Sequence, residues 1–365
     1  MTTIDVTLTL TSPLHLAYPG NTPEAREEDN REKKNKALTF KKKLMTGDAV
    51  WYVPCVPGNG LRGALRRKVA DRLQKHLCAG DQSIPAELYV GLTCGASSGS
   101  PDNTPLSVAE LLRARTNVYM GTFGGGARLL ESAYRVSDIN PVLKVTLERG
   151  VVPAFCADYV QPKRGGDSEY VAPWEITDCY HLIRRDDLMS GRGGVSLSQF
   201  VSSADAAAYQ AQVVELESER KADKGGTKSV RNMMAIEAIC AGTPMHFRID
   251  VKPGFGDEHV GVLLLALCDI FAENAIGGWC RSGFGQYRVD QLRVTDGEEC
   301  AVFTELHEDG VFRLPVQLSR YTEAAKEGIR RITLEEMMGY FTDFSAEKKA
   351  EKRAGRKAKP AVESA

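Results

Sequence analysis

The chain has 365 residues, 42% of them apolar and 26% charged, with a formal net charge of −1. Its size allows one large domain with insertions or two domains, and its composition is that of a globular protein. A near-zero net charge excludes a chain that is basic throughout. Nucleic-acid binding therefore has to rest on local patches, and Lys33 to Lys43, Arg62 to Lys75 and Lys348 to Lys359 are the candidates.

The nine cysteines form no CxxC pair and the six histidines no HxxxH pair, so the sequence offers no metal site and calls for no cofactor. An odd number of scattered cysteines fits a reducing cytoplasm better than a disulfide framework. The longest apolar run, Val260 to Leu267, is far shorter than the ~20 residues of a membrane helix, so no membrane contact is expected. The N-terminus lacks the basic and apolar blocks of a signal peptide and reads as structure.

Ile4, Val6, Leu8 and Leu10 alternate with Asp5, Thr7 and Thr9, the period of a half-buried strand. The charge run Glu24 to Lys43, without a large apolar residue until Leu38, reads as a mobile surface loop. Trp51 to Val53 then form a short strand that leads into Val56 to Lys68, VPGNGLRGALRRK. Pro57, Gly58 and Gly60 make a turn here, Asn59 offers an N-cap, and a helix follows to about Leu77. Arg62 and Arg66 are four residues apart, so they share a helix face close to N-terminal amides that favour anions. This makes a candidate phosphate site; a capped surface helix with solvated arginines is the alternative.

Asp81 to Pro105 reads as a loop or insertion and Val108 to Arg115 as a helix. In the following MGTFGGGAR, Gly121, Gly124, Gly125 and Gly126 crowd unhindered backbone beside Phe123 and Arg128, where it could approach a phosphate or a base. Neither a Walker loop nor GxGxxG is present, and tight packing explains the glycines equally well. Alternation in Lys144 to Gly150 predicts a strand. Tyr159 to Arg231 is polar and rich in basic pairs, with one amphipathic helix near Ala204 to Glu219, and reads as an inserted lobe. Its Tyr159, Tyr170, Trp174 and Tyr180 suit either stacking on exposed bases or anchoring of loops. A strand over Met245 to Val251 and a helix over about His259 to Asn274 precede a glycine-rich loop, Gly277 to Gly285, that carries Arg281 and Ser282. A strand over Gln286 to Val294 and a helix near Leu334 to Phe344 complete the ordered part, and the tail after Ser345 reads as a frayed helix or as disordered.

This order suggests an α+β fold, a split βαββαβ core of ferredoxin type as in RNA recognition motifs. PGNGLRGALRR at Pro57 to Arg67, MGTFGGG at Met120 to Gly126 and GGWCRSGFGQYRV at Gly277 to Val289 together resemble the RAMP superfamily of CRISPR-associated proteins. RNMMAIEAICAGTPMHFRID, Arg231 to Asp250, is similar to a further segment of that family. Within the superfamily the chain is most similar to the Cas-seven-type backbone subunit, and its length and FGGGAR variant resemble the type IV effector complexes.

The resemblance implies a cytoplasmic antiviral-defence protein that polymerises along CRISPR RNA as a helical filament with other copies of itself and other effector subunits, leaving the bases free to pair with target DNA or RNA. It implies a ferredoxin-like palm from 1–158 and 232–300, an inserted thumb and lobe at 159–231, a helical extension at 301–345 and a charged tail at 346–365. The implied RNA contacts are Gly58, Asn59, Gly60, Arg62, Arg66 and Arg67, then Phe123, Gly124, Gly125 and Arg128, then Gly277, Gly278, Arg281, Ser282 and Gly283. Reversing Arg62 and Arg66 is expected to abolish RNA retention without unfolding.

Catalytic relatives place an aspartate in a glycine-rich loop after the first strand, whereas here Asp29 stands among Glu27, Glu28, Asn30 and Arg31, so no nuclease activity is expected. An endoribonuclease using His15 or His76 as general base, and a scaffold whose glycine loops only pack against neighbours, are the other readings.

Overall fold

Alternation in the first strand sets the architecture. In the computed structural model, which describes residues 1–17, 36–47, 49–79, 83–96, 107–163, 169–184, 202–205, 207–208, 211 and 232–341, the apolar side of this strand faces helices and its polar side is also covered. The elements up to the middle of the chain are β1 (Thr2–Leu10), β2 (Lys36–Ala37), β3 (Lys41–Met45), β4 (Val50–Pro54), α1 (Gly58–Leu77), α2 (Ala86–Cys94), α3 (Val108–Thr116) and α4 (Val118–Phe123). Then come β5 (Tyr134–Val136), β6 (Asn140–Pro141), α5 (Lys144–Glu148), β7 (Thr177–Arg184), β8 (Asn232–Ile239), β9 (Pro244–Val251) and α6 (Asp257–Glu273). The last are β10 (Tyr287–Asp296), β11 (Glu299–Phe303), β12 (His307–Glu308), β13 (Val311–Phe312), α7 (Ser319–Arg331) and α8 (Leu334–Phe341).

The fold is α+β. Its main sheet runs β11-β10-β1-β9-β5, every neighbouring pair antiparallel, with β6 also on β9. The six elements β1, α1, β5, β9, α6 and β10 follow one another as strand, helix, strand, strand, helix, strand, and those four strands lie in the sheet in the order fourth, first, third, second. Ile4, Val6, Leu8 and Leu10 pack into a core with Leu61, Leu65, Val69 and Leu73 of α1 and the almost wholly apolar α6. A helix apolar on most sides has to be enclosed, and α7 supplies the outer cover. Gly261 of α6 permits that contact, because a Cβ there would lie 1.8 Å from the Tyr321 carbonyl oxygen.

The described chain forms two compact units. One comprises 1–16, 40–177 and 239–365; the other, 17–39 and 178–238, contains the sheet β2-β8-β7, with β2 parallel to β8 and the Thr39 amide donating to Glu237 Oε2 at 3.1 Å.

Several sequence expectations are corrected. Lys144 to Gly150 is not a strand: the Thr146 hydroxyl accepts from the Leu143 amide and donates to the Pro141 carbonyl, and this local bonding closes the short helix α5. The part of the Glu24 to Lys43 run that is described is ordered, since β3 pairs with β4 in a hairpin whose inward side holds Leu44, Trp51 and Val53. The residue that caps α1 is Pro57, and Asn59 sits exposed in the first turn. Asp29, most of the Ala204 to Glu219 segment, the glycine pairs at Gly165, Gly193 and Gly225, and the tail after Ser345 lie outside the described residues.

Candidate nucleic-acid interface

The start of α1 is already supplied with an anion. The Gly58 amide donates to Asp138 Oδ1 at 2.7 Å, and that carboxylate also pairs with Lys42. A helix N-terminus favours negative charge, and here the chain provides it. Gly58 is required because a Cβ would meet the Ser137 carbonyl oxygen at 2.7 Å. Asn59 and Gly60 remain exposed beside it.

The three arginines of the helix have different surroundings. Arg62, exposed, donates from Nη2 to Ser132 Oγ at 3.1 Å with its guanidinium 5.9 Å from the Tyr134 ring centre. Arg66 points into the protein, donating to the Phe123 carbonyl at 2.6 Å and the Gly124 carbonyl at 3.2 Å, over the Phe123 ring at 5.5 Å. Arg67 is exposed and makes no hydrogen bond or ion pair among the described residues.

The structure thus brings two predicted stretches together, PGNGLRGALRR and MGTFGGG, through Arg66. The glycine loop is an internal joint: Phe123 is 1% exposed, Gly124 and Gly126 are buried, and Gly124, Gly125 and Gly126 all have positive φ. A Cβ on Gly125 would lie 2.1 Å from the Gly95 carbonyl oxygen, so close backbone packing accounts for that glycine. Arg128 pairs with Glu110 at 3.2 Å.

Reversing Arg66 therefore threatens the fold as well as any ligand. Arg66→Glu would strip two carbonyls of a charged donor and place a carboxylate against them, an expected loss of about 3 kcal/mol. Arg67→Glu, at an exposed site, is expected to change stability by less than about 0.5 kcal/mol. Urea denaturation of the two variants checks the contrast; equal midpoints would remove Arg66 from the joint.

The second exposed basic element is the loop between α6 and β10. Its ends are pinned, with the Gly278 amide on the His15 carbonyl at 2.7 Å, the Gly285 amide on the Pro13 carbonyl at 2.7 Å and Phe284 buried beneath. Gly285 has φ +77° and no space for a Cβ, which would lie 1.9 Å from the Ile276 carbonyl oxygen. Gly277 is exposed and Gly278 half-buried, while the tip, Trp279 to Gly283, is exposed. Arg281 there makes no hydrogen bond or ion pair among the described residues. Trp279 has φ +62° and is 40% exposed, a strained, open aromatic of the kind that clusters at binding sites. It stands within the predicted GGWCRSGFG stretch but was not singled out; its bulk in a run of glycines was the available signal.

Strand register places these elements at one end of the sheet. β1 ends at Leu10, opposite Tyr287 where β10 begins, so the Gly277 to Gly285 loop lies at that end. α1 enters from the same end, because Val56 bridges Ile139 and the Val142 amide bonds the Pro244 carbonyl, opposite Thr9. Lys68 of α1 pairs with Glu273, the last residue of α6, which brings neighbouring Arg67 level with the start of the loop. An open cleft of 670 Å³ between α1, α6 and α7 also has basic walls, but Arg72 is bidentate to Asp269 at 2.6 Å and Lys68 is paired, which neutralises much of that charge.

On the other face of the sheet, sequence reasoning passed over a buried polar cluster. Asp5, 3% exposed, accepts from His246 Nε2 at 3.0 Å and from Arg248 Nε at 2.8 Å and Nη2 at 3.2 Å. A carboxylate only accepts, so the His246 proton is on Nε2. Phe155 lies edge-on to that ring at 5.9 Å, and Cys156 Sγ lies 3.7 Å from Thr7 Oγ1. Burial pushes the Asp5 carboxyl up, but hydrogen bonds from His246 and Arg248 and the Arg248 charge outweigh it, so its pKa lies below 3.8. Burial raises the Cys156 thiol to about 11, against the hydrogen bond to Thr7. The visible signal was a row of polar residues, Asp5, His246 and Arg248, on alternate positions of paired strands.

Of the two histidines considered as bases, His15 is 1% exposed beneath the glycine loop, and His76 Nε2 lies 3.3 Å from the Ile332 carbonyl oxygen. Among the described residues no group of three His, Cys, Asp or Glu could hold a metal, and no helix is long and apolar enough to cross a membrane.

Fold and site define an α+β protein with two exposed basic elements at one end of an antiparallel sheet. No family profile and no curated protein matches the sequence. Among solved structures, a chain of a "Type IV-B CRISPR Complex" is similar at TM-score 0.41 and 14% identity, covering 86% of this chain and 96% of that one.

Proposed function

We propose that this chain is a non-catalytic subunit of a CRISPR effector complex, a Cas-seven-type backbone protein of type IV that binds CRISPR RNA, assembles with further copies and other subunits along it, and presents its bases to a target strand. The observation that carries the proposal is the convergence, at one end of the sheet, of the N-terminal half of α1 and the Gly277 to Gly285 loop, each with an arginine that pairs with no carboxylate, Arg67 and Arg281. The strand order of the sheet supports a ferredoxin-like palm, and the four RAMP-like sequence blocks run through it in family order.

In this reading Arg62, Arg67, Arg281 and Ser282 contact guide phosphates, with the open backbone at Asn59, Gly60 and Gly283 beside them. Arg66, Phe123, Gly124 and Gly125 hold α1 at the correct angle rather than touching RNA. Phosphate contacts of this kind fix register and carry no base information, which leaves the bases available for pairing. The thumb is assigned to 159–231 by family analogy.

The test is to purify the full chain, read absorbance at 260 against 280 nm and sequence the RNA that accompanies it. Uniform repeat-derived RNA in a high-mass oligomer is the expected result, and a nucleic-acid-free monomer would overturn the proposal. Cuts at regular intervals in a complementary RNA would instead make the chain a nuclease.

A further inference from the structure

Trp174 stacks on Trp51 with ring centres 5.0 Å apart and planes within 2°, and it is nevertheless 62% exposed. The pair is held from below: Trp51 Nε1 donates to Thr46 Oγ1 at 3.0 Å, and Arg149 Nη2 donates to the Thr46 carbonyl at 2.9 Å. The turn that carries Trp174 is fixed as well, Glu175 accepting from the Ala172 amide at 2.9 Å and from Lys163 at 2.6 Å. One indole face is thus presented to solvent on a rigid support.

Two basic side chains lie against the segments that carry the pair. The Arg149 guanidinium bonds only a carbonyl and pairs with no carboxylate among the described residues. Lys144, at the start of α5, caps the ring of Tyr170, four residues before Trp174, at 4.0 Å. A flat π-face on a fixed aromatic base, with cations on the segments that carry it, is what a nucleobase of a single strand needs, since the ring takes the base and the cations take the phosphates.

We infer that Trp174 is a stacking platform for an unpaired base of a single-stranded nucleic acid, separate from the phosphate contacts proposed at Arg67 and Arg281. The inference rests on the nucleic-acid-binding reading only in the choice of ligand. A duplex offers the platform nothing, because its bases are already stacked.

The test uses the full chain, freed of nucleic acid at high salt, and fluorescence anisotropy with a labelled twelve-nucleotide adenine strand and with an abasic strand of the same length. Trp174→Ala is expected to weaken binding of the adenine strand about tenfold and to leave the abasic strand unchanged. Trp174→Phe, which keeps a ring, is expected to restore most of the loss. Unchanged adenine binding by Trp174→Ala would overturn the inference, and so would an equal loss on both strands, which would make the residue structural. If Trp174→Ala is silent while Arg67→Glu with Arg281→Glu loses RNA, the platform fails and the proposed function stands. If the chain purifies without RNA yet shows the Trp174-dependent, base-dependent binding, the platform stands and the proposed function fails.

Discussion

Asp5→Ala is expected to cost about 3 kcal/mol of stability, more than any exposed substitution in this chain. Asp5 is 3% exposed and accepts from both His246 and Arg248, so truncating it leaves a buried ring N–H without a partner and a guanidinium without its counter-charge. Arg248 is 39% exposed and can turn part of its charge to water, which places the cost at the lower end of the range for broken buried pairs. The pH dependence gives an independent check. The folded-state pKa of Asp5 is depressed, so the stability it contributes is complete above its unfolded value of 3.8 and is lost as pH falls through 3.8 towards the folded value. The wild type should lose that part of its stability as pH falls below about 4, and Asp5→Asn should fall less over the same window, since only the other carboxylates with lowered pKa, Glu131 among them, still titrate there. Urea denaturation at pH 7 and at pH 3.5 measures both effects; an unchanged midpoint for Asp5→Ala at pH 7 would show that the cluster does not stabilise the sheet.

The same strand illustrates how much was legible in the sequence. The period of Ile4, Val6, Leu8 and Leu10 identified β1, and similar alternation identified β9, because a sheet face buried by helices demands it. What period 2 could not show was that the other face is buried too, since Asp5 and Thr7 look like ordinary solvent positions until the segment around Phe155 and Cys156 covers them. α7 was not separated as a helix of its own within the expected helical extension at 301–345, because its buried stripe is narrow, Tyr321, Thr322, Ala325 and Ile329 among charged residues. Lys144 to Glu148 misled because a five-residue helix is too short for its period to differ from alternation, and the side-chain bonds of Thr146 decided the matter. At the candidate site the sequence singled out stretches but could not give the direction of each arginine. Arg62 and Arg66 lie only about 40° apart around the helix and Arg67 about 100° further on, and only the position of Phe123 and Gly124 turns one of them inward.

That division of labour among the arginines leads to the experiment with the largest functional effect. Arg67→Glu together with Arg281→Glu is expected to abolish RNA retention while leaving the fold intact. Both side chains are exposed and unpaired, so reversal breaks no internal bond. In the proposed reading each reversal removes one phosphate contact and adds a repulsive charge. Because nucleic-acid affinity falls steeply with every lost phosphate contact, the two reversals together should lower it by about a thousandfold near physiological salt. Arg67→Gln with Arg281→Gln should fall between the double reversal and the wild type, and the slope of log affinity against log salt should become shallower by about 2. Unchanged urea midpoints establish that the variants are folded, and the 260 to 280 nm absorbance ratio of the purified protein reads retention. A folded double reversal that still purifies with the wild-type amount of RNA would show that the strand does not run past this end of the sheet, whatever the rest of the surface binds.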